Sequence, residues 1–304
     1  MNVLVTGSIG IDTVEAPSGK VADALGGSSV YFSQAASFFA PVRFVGVVGE
    51  DCPADFLKPL RENPNIDMGG LEIRAGSKTF RWHGRYHDDV NQRDTVSVEL
   101  NVLAEKGPTI PENFRDSEYV FLANTHPALQ LELLGQCAAA KLIVADTMDL
   151  WIETETALLG ELLGNIDGVV LNDSEALSLT GRNNVIQAGL EIASRVKRFC
   201  VIKKGEHGAV LFIDGKAYPL PGYPAVNVVD PTGAGDCFAG GMMGHLAATD
   251  PTPEKLCSAL RQAVAYGTVI ASLELEAFSL DKLLTITRKD IDKRFAEFTA
   301  LTRF

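Results

Sequence analysis

Residues 230–236 read D-P-T-G-A-G-D and run directly into a segment of small residues, C-F-A-G-G-M-M-G. Glycines at this spacing suit the start of a helix. The first amides of a helix have no acceptor inside it and carry the positive end of its dipole, so Gly233 and Gly235 let an anion approach bare backbone. Asp236 then places a carboxylate beside the bound anion. A base next to an anion hole can move a phosphoryl group onto a hydroxyl. An acidic residue in a first helical turn is also ordinary helix chemistry. Here Gly240, Gly241 and Gly244 argue for more, because each costs about 1 kcal/mol against alanine inside a helix. A helix carrying all three is expected to pack closely on a sheet. Residues 226–229, V-N-V-V, are mostly β-branched and precede the motif, so a strand is expected to turn into the helix here.

Three other groups of residues can serve the same chemistry. Gly26 and Gly27, followed by Ser28 and Ser29, read either as a capped helix start or as a second place where backbone meets a ligand. Asp12 paired with Gly26 and Gly27 can hold sugar hydroxyls. Asn172 and Glu175 have the spacing of a capping box and can also orient magnesium-bound water. Residues 203–208, K-K-G-E-H-G, join two strands, and Lys203 with the open backbone at Gly205 and Gly208 suits a nucleotide. There is no G-x-x-x-x-G-K-[ST] motif and no G-x-G-x-x-G after the first strand, which excludes the P-loop and dinucleotide classes. His83 and His87 lie four apart on a strand-like segment, so they are not a helical metal pair.

These residues need elements to position them. Short β-branched runs recur at residues 3–6, 44–48, 119–122, 142–145, 168–171, 200–203 and 209–213, with helical spacing at 28–39, 128–140 and 185–196 between them. The alternation predicts an α/β fold, a doubly wound and mostly parallel sheet. Ligands collect beyond the carboxyl ends of such strands, where Asn124, Asp146, Asn172 and Lys203 fall. Residues 71–103 break the pattern with a period of two. Phe80, Trp82 and Tyr86 take one face, and Arg81, His83, Arg85 and His87 the other. A polar turn at 88–94 makes this a hairpin, too small to fold alone. It reads as a solvated hairpin, a lid or a dimer surface. Its aromatic face could stack on a nucleobase, and Arg81, Arg85 and Arg93 could equally favour a phosphorylated sugar.

Composition narrows the partners. The chain has 304 residues, 46% of them hydrophobic, enough for a large core, and a net charge of -12 that disfavours nucleic acid and anionic membrane. Five cysteines, odd in number and without a C-x-x-C pair, fit a reducing cytosol. The N-terminus reads as a strand rather than a targeting leader, and no apolar run reaches the ~18 residues of a membrane span. A cytoplasmic protein acting on a small molecule is expected.

In their order along the chain these motifs resemble the ribokinase family, the PfkB carbohydrate kinases, over nearly the whole length. The resemblance rests on D-P-T-G-A-G-D with F-A-G-G, the paired Gly26 and Gly27, F-V-G-V-V-G-E-D at 44–51, N-x-x-E at 172–175 and K-G-E-H-G. It implies a single three-layer α/β/α domain with a small β-sheet lid from about 12–25 and 71–103. The implied reaction is transfer of the ATP γ-phosphate, with magnesium, to a hydroxymethyl group. Asp236 would be the base and the amides of residues 233–236 the anion hole. Asn172 and Glu175 would lie near phosphate and magnesium, Lys203, Gly205 and Gly208 along the nucleotide, and Val264 near the adenine. Asp12, Gly26, Gly27, Ser28 and Asn124 would face the acceptor. Asp230 and Thr232, with carbonyls near Ala271 and Glu274, would match the monovalent-cation loop of some members, which binds potassium. Where the family continues the paired glycines with a K-G-A-N-like run this chain has Ser28, Ser29, Val30 and Tyr31, and it has uncharged Asn124 where an acidic sugar contact is usual. These departures point away from ribose. A nucleoside kinase is the alternative, and a nucleotide-binding regulator without turnover is a second. The exposed aromatic face would favour a homodimer through the lid.

Overall fold

The computed structural model describes residues 1–303. Its strands are β1 (Val3–Thr6), β2 (Gly10–Ala16), β3 (Gly19–Gly26), β4 (Val42–Gly49), β5 (Ile66–Arg74), β6 (Phe80–Tyr86), β7 (Arg93–Glu99), β8 (Tyr119–Leu122), β9 (Leu142–Asp146), β10 (Gly168–Asn172), β11 (Phe199–Lys203), β12 (Ala209–Ile213) and β13 (Lys216–Leu220). Nine of them form one sheet in the order β13-β12-β11-β10-β9-β8-β1-β4-β5. Pairing is parallel from β11 to β5 and antiparallel only at β11-β12 and β12-β13.

The strands read as continuous apolar runs because both faces of this sheet are covered. Alternate residues go to opposite cores. Val3, Val5, Phe121, Val170, Val201 and Leu211 join one cluster, while Leu4, Val120, Leu122, Val169, Leu171, Ile202 and Phe212 join the other. The result is the three-layer, mostly parallel α/β fold that the alternation predicts.

Four strands form a second sheet, β3-β2-β6-β7, antiparallel except for the parallel β2-β6 pair. Residues 71–74 do not belong to it. They lie in β5, whose register with β4 runs from Gly46 opposite Leu71 to Gly49 opposite Arg74, and the alternation there is that of an edge strand. At the free edge of the second sheet, every residue of β7 is exposed, including Val96 and Val98.

The motif-bearing helix spans Ala234–Thr249 and is buried along nearly its whole length. Its glycines meet helices rather than the sheet. A Cβ at Gly240 would collide with the Phe32 carbonyl, one at Gly244 would fall 2.8 Å from the Ala36 carbonyl, and one at Gly241 3.1 Å from Ile270 Cγ1. The helix therefore wedges between Ser28–Ala36 and Leu256–Glu274. The apolar Pro253–Glu274 segment has the length and mean hydropathy of a membrane span, but its Leu260, Val264, Val269 and Ile270 complete the same core.

Residues 226–229 form no strand. Val226 is 93% exposed, and the Val229 amide donates to the Leu275 carbonyl (2.7 Å). The sheet already ends at β13, so β-branched residues here have no neighbouring strand to pair with. The expected helices at 28–39, 128–140 and 185–196 stop early, at Ala36, Leu134 and Ala193.

Candidate active site

Asp146, Glu175 and Lys203, at or just past the ends of β9, β10 and β11, lie close enough to the start of the Ala234–Thr249 helix for their charges to act together with that of Asp236. Gly233 caps it with φ 87°, a left-handed turn that a side chain would resist and that the Tyr31 ring leaves no room to fill. The Ala234 amide donates weakly to the Pro231 carbonyl (3.3 Å) and the Cys237 amide to the Gly233 carbonyl (2.8 Å). Gly235 and Asp236 thus present amides without a protein acceptor, the arrangement that binds anions. Lys203, at the end of β11, reaches this point: a Cβ on Gly235 would lie 2.6 Å from its Nζ.

Asp236 is half-buried beside these amides. Burial raises its pKa to about 6, against the opposing charges of Lys203 and Arg93. A carboxyl in this range can exchange a proton near neutral pH. Asp146, at the end of β9, is held well above the usual carboxylate range by burial and then by the charge of Asp236, and its Oδ1 has no partner. Glu175 is buried and its pKa raised by that burial. With Asn172 it forms the capping box: the Glu175 amide donates to Asn172 Oδ1 (2.8 Å) and the Asn172 amide to Glu175 Oε2 (2.7 Å). Among the described residues no His, Cys, Asp or Glu group is close enough to hold a metal alone. A divalent ion here would take most of its ligands from phosphate and water, and the orphaned Asp146 oxygen and the Glu175 carboxylate fit that outer role.

In the small sheet, Asp12 lies against Gly10 and Gly26. A Cβ at Gly10 would approach Asp12 Oδ1 to 2.8 Å, and one at Gly26 would overlap the carboxylate. Gly27 turns with φ 103°. Asp12 is 5% exposed, its Oδ1 is unpartnered, and burial raises its pKa to about 8, with Asp230 and Asp236 adding to the effect. A buried carboxyl with one oxygen unpartnered is suited to receiving hydroxyls from a ligand.

Other expected site residues are placed differently. Ser28 is committed to the fold: its amide donates to Ser8 Oγ (2.9 Å), its Oγ accepts from the Ser8 amide (3.2 Å), and it reaches the Asn124 carbonyl (3.3 Å). Asn124 receives the Trp151 indole N–H (3.0 Å) and approaches Met148 Sδ at 3.2 Å, so its side chain orients Trp151 against His126, 4.9 Å away between ring centres. Val264 is fully enclosed in the core, and the exposed positions of that helical turn are Arg261 and Gln262. Gly205 and Gly208 have φ 51° and 85° and shape the β11-β12 turn. Asp230 is fully buried, accepting from the amides of Thr232 (2.8 Å) and Ser279 (3.3 Å). Tyr86 is also withdrawn from any stacking face, since it is buried with its hydroxyl 3.2 Å from Thr232 Oγ1.

Two groups are weakly signalled in the sequence. Gln130, on the Pro127–Leu134 helix, donates through Nε2 to the carbonyls of Leu122 (2.9 Å) and Asp146 (3.1 Å), tying two strand ends together. Glu274 is wholly buried with both carboxylate oxygens unpartnered, and burial with the charges of Asp230 and Asp236 pushes its pKa well up. Its only signal is an acid on the buried face of an apolar helix.

A doubly wound sheet with an anion cradle and an adjacent carboxylate at its strand ends defines a small-molecule kinase. Residues 26–283 match the pfkB family of carbohydrate kinases, and the chain belongs to that family. It is an ATP-dependent phosphotransferase acting on sugar or sugar-like molecules. It is 30% identical over 270 residues to a cytidine kinase of Thermococcus kodakarensis, covering 86% of this chain and 95% of that one. The fold is similar to ribokinase from Giardia lamblia (TM-score 0.81, 17% identity, 98% and 99% of the two chains). It is also similar to a Burkholderia thailandensis nucleoside kinase in complex with inosine (TM-score 0.78, 19% identity, 98% and 99%).

The Asp12 environment has a consequence for stability. A carboxyl whose pKa is higher in the folded state favours folding below its unfolded value and loses that contribution as pH rises through the folded value. For Asp12 the window runs from 3.8 to about 8. Asp12→Asn in the ligand-free protein is expected to melt near the wild-type temperature at pH 4 and progressively above it towards pH 8, as followed by differential scanning fluorimetry.

Proposed function

We propose that this kinase phosphorylates the hydroxymethyl group of a nucleoside. The observation that carries the phosphotransfer geometry is the pair of acceptor-free amides at Gly235 and Asp236, between Lys203 and the half-buried Asp236 carboxylate. Asp236 takes the acceptor's hydroxyl proton as its oxygen attacks the γ-phosphorus. The amides of residues 233–236 and Lys203 hold charge on the moving phosphoryl group, and ADP leaves. The Lys203–Gly208 turn borders the nucleotide. Asp12, with the open backbone of Gly26 and Gly27, receives ribose hydroxyls. The His126–Trp151 pair, uncharged Asn124 and the cytidine kinase relative support a nucleoside over a free sugar.

Magnesium would be held by the ATP phosphates and by water that Asp146 and Glu175 orient, supplying positive charge to the leaving group. A potassium ion fits the Asp230–Thr232 loop, where the buried Glu274 carboxyl, both oxygens unpartnered and its pKa pushed well up, would ionise more readily beside a cation. Cytoplasmic location is supported by five free thiols, of which Cys137, Cys200 and Cys237 are buried. The exposed β7 edge with Val96 and Val98 supports a homodimer through the small sheet acting as a lid.

Asp236→Asn is expected to lower kcat about 10³-fold while ADP affinity, read by calorimetry, stays within about twofold. The base must be ionised, so wild-type kcat/KM is expected to fall about tenfold per pH unit below about 6. Full activity in Asp236→Asn would remove the base assignment. In an ADP-release screen with and without potassium, cytidine and related nucleosides are expected to outpace ribose, inositol and ribose 1-phosphate, and potassium to raise the rate. Preference for a free sugar would overturn the nucleoside reading. Sedimentation is expected to give a dimer that Val98→Asp converts to monomer, and a wild-type monomer would reject the lid interface.

A further inference from the structure

The small sheet carries three arginines on β6 and β7, and their partners differ. Arg81 reaches Asp23 (3.1 Å) and Asp51 (3.8 Å), and Arg85 reaches Glu15 (2.7 Å). These two are neutralised within the sheet and its border. Arg93 makes no ion pair among the described residues, and its guanidinium rests over the Trp82 ring, 5.7 Å from the ring centre. An arginine left without a carboxylate partner in so acidic a chain needs a reason.

Its position supplies one. Arg93 is the cross-strand partner of Tyr86, whose hydroxyl is bound by Thr232 Oγ1 (3.2 Å) in the D-P-T-G-A-G-D loop. Two residues before it, Asn91 Nδ2 donates to Glu206 Oε2 (2.9 Å), and Asn91 Oδ1 occupies the space next to Gly205, where a Cβ would come within 2.7 Å. The β6-β7 turn therefore bridges from the anion cradle to the Lys203–Gly208 turn, fixed at both ends. Its charge acts on the site beneath, depressing the pKa values of Asp236 and Glu175 against the larger effect of burial. A phosphoryl group on the Gly235 and Asp236 amides would then feel the charges of both Lys203 and Arg93.

We propose that Arg93 is a phosphate-directed catalytic residue, delivered by the β6-β7 turn onto the phosphoryl group held at the start of the Ala234–Thr249 helix. Asn91 and Tyr86 are positioning residues for it. In the transfer the acceptor oxygen forms a bond to phosphorus, its proton passes to Asp236, and the bond to the ADP oxygen breaks. The guanidinium stabilises the charge on the non-bridging oxygens and exchanges no proton. This inference rests on the kinase reading of the cleft. The phosphate chemistry could come from the nucleotide's terminal group or from a phosphate carried by the acceptor, and the test separates the two.

The test measures calorimetric affinities for ADP and for a non-hydrolysable β,γ-imido ATP analogue, together with kcat on the best acceptor, in wild type, Arg93→Ala, Arg93→Lys and Asn91→Ala. Arg93→Ala is expected to keep its affinity for ADP, lose about tenfold for the analogue and fall about 100-fold in kcat, with partial recovery in added guanidinium ions. Arg93→Lys should recover part of the kcat, and Asn91→Ala should show a smaller loss with ADP binding intact. Losses confined to phosphorylated acceptors, with analogue affinity intact, assign the guanidinium to the acceptor's phosphate and uphold its phosphate role. Wild-type kcat and analogue affinity in Arg93→Ala would overturn the proposal, as would equal losses for ADP and the analogue. Wild-type protein that bound neither nucleotide would instead sink the kinase reading itself.

Discussion

At the start of the Ala234–Thr249 helix, open amides and buried carboxylates share one small volume. Asp12, Asp146, Asp230, Asp236 and Glu274 all have pKa values raised chiefly by burial. Such groups are costly to ionise unless cations accompany them. Lys203 and Arg93 are the protein's cations nearest Asp236, and they do not balance that many acids. A bound nucleotide would add further negative charge, which is the electrostatic ground for the magnesium proposed above. The site is thus built to be completed by its ligands.

That electrostatic arrangement depends on packing. The helix can enter the core only because Gly240, Gly241 and Gly244 leave space for the Phe32 and Ala36 carbonyls and for Ile270. Backbone contact on three positions fixes the helix along its axis, and its first turn is aimed at the ends of β9, β10 and β11. Gln130 and the Ser8–Ser28 pair do the equivalent work on the other side, pinning the ends of β1, β8 and β9. Buried polar side chains of this kind stabilise mainly by leaving no carbonyl or hydroxyl unpaired.

The fold and the cradle were legible in the sequence because each rests on local signals. Alternating strand and helix periods give the parallel sheet, and glycines before Asp236 give the helix start. What local signals could not supply is which neighbour each residue meets. The glycines of the Ala234–Thr249 helix announce close packing, but nothing near them says that the partners are two helices rather than strands. Residues 226–229 have strand-like composition and no strand to pair with. Ser28 and Asn124 look available in sequence, and both are consumed by contacts 20 and 24 positions or more away, with Ser8 and Met148. Glu274 enters the sequence reading only for a carbonyl near the Asp230 loop, and the state of its carboxyl comes from burial and from Asp230, 44 residues earlier in the chain.

The second sheet shows how the two halves of the cleft communicate. Its strand β2 carries Asp12 and Glu15, and Glu15 is held low, at about 2, by Lys20 and Arg85. This exposed ion-pair cluster contributes little stability alone, but it orders β2, β3 and β6 relative to one another. Through Tyr86 the same sheet touches Thr232, and through Ser18 Oγ it reaches the Val229 carbonyl at 2.5 Å. Asp12 and the anion cradle are therefore mounted on one connected frame. A shift of the small sheet must move Asp12, the Asp230–Asp236 loop and the β6-β7 turn together, so on the proposed reading acceptor capture is coupled to the geometry of phosphoryl transfer.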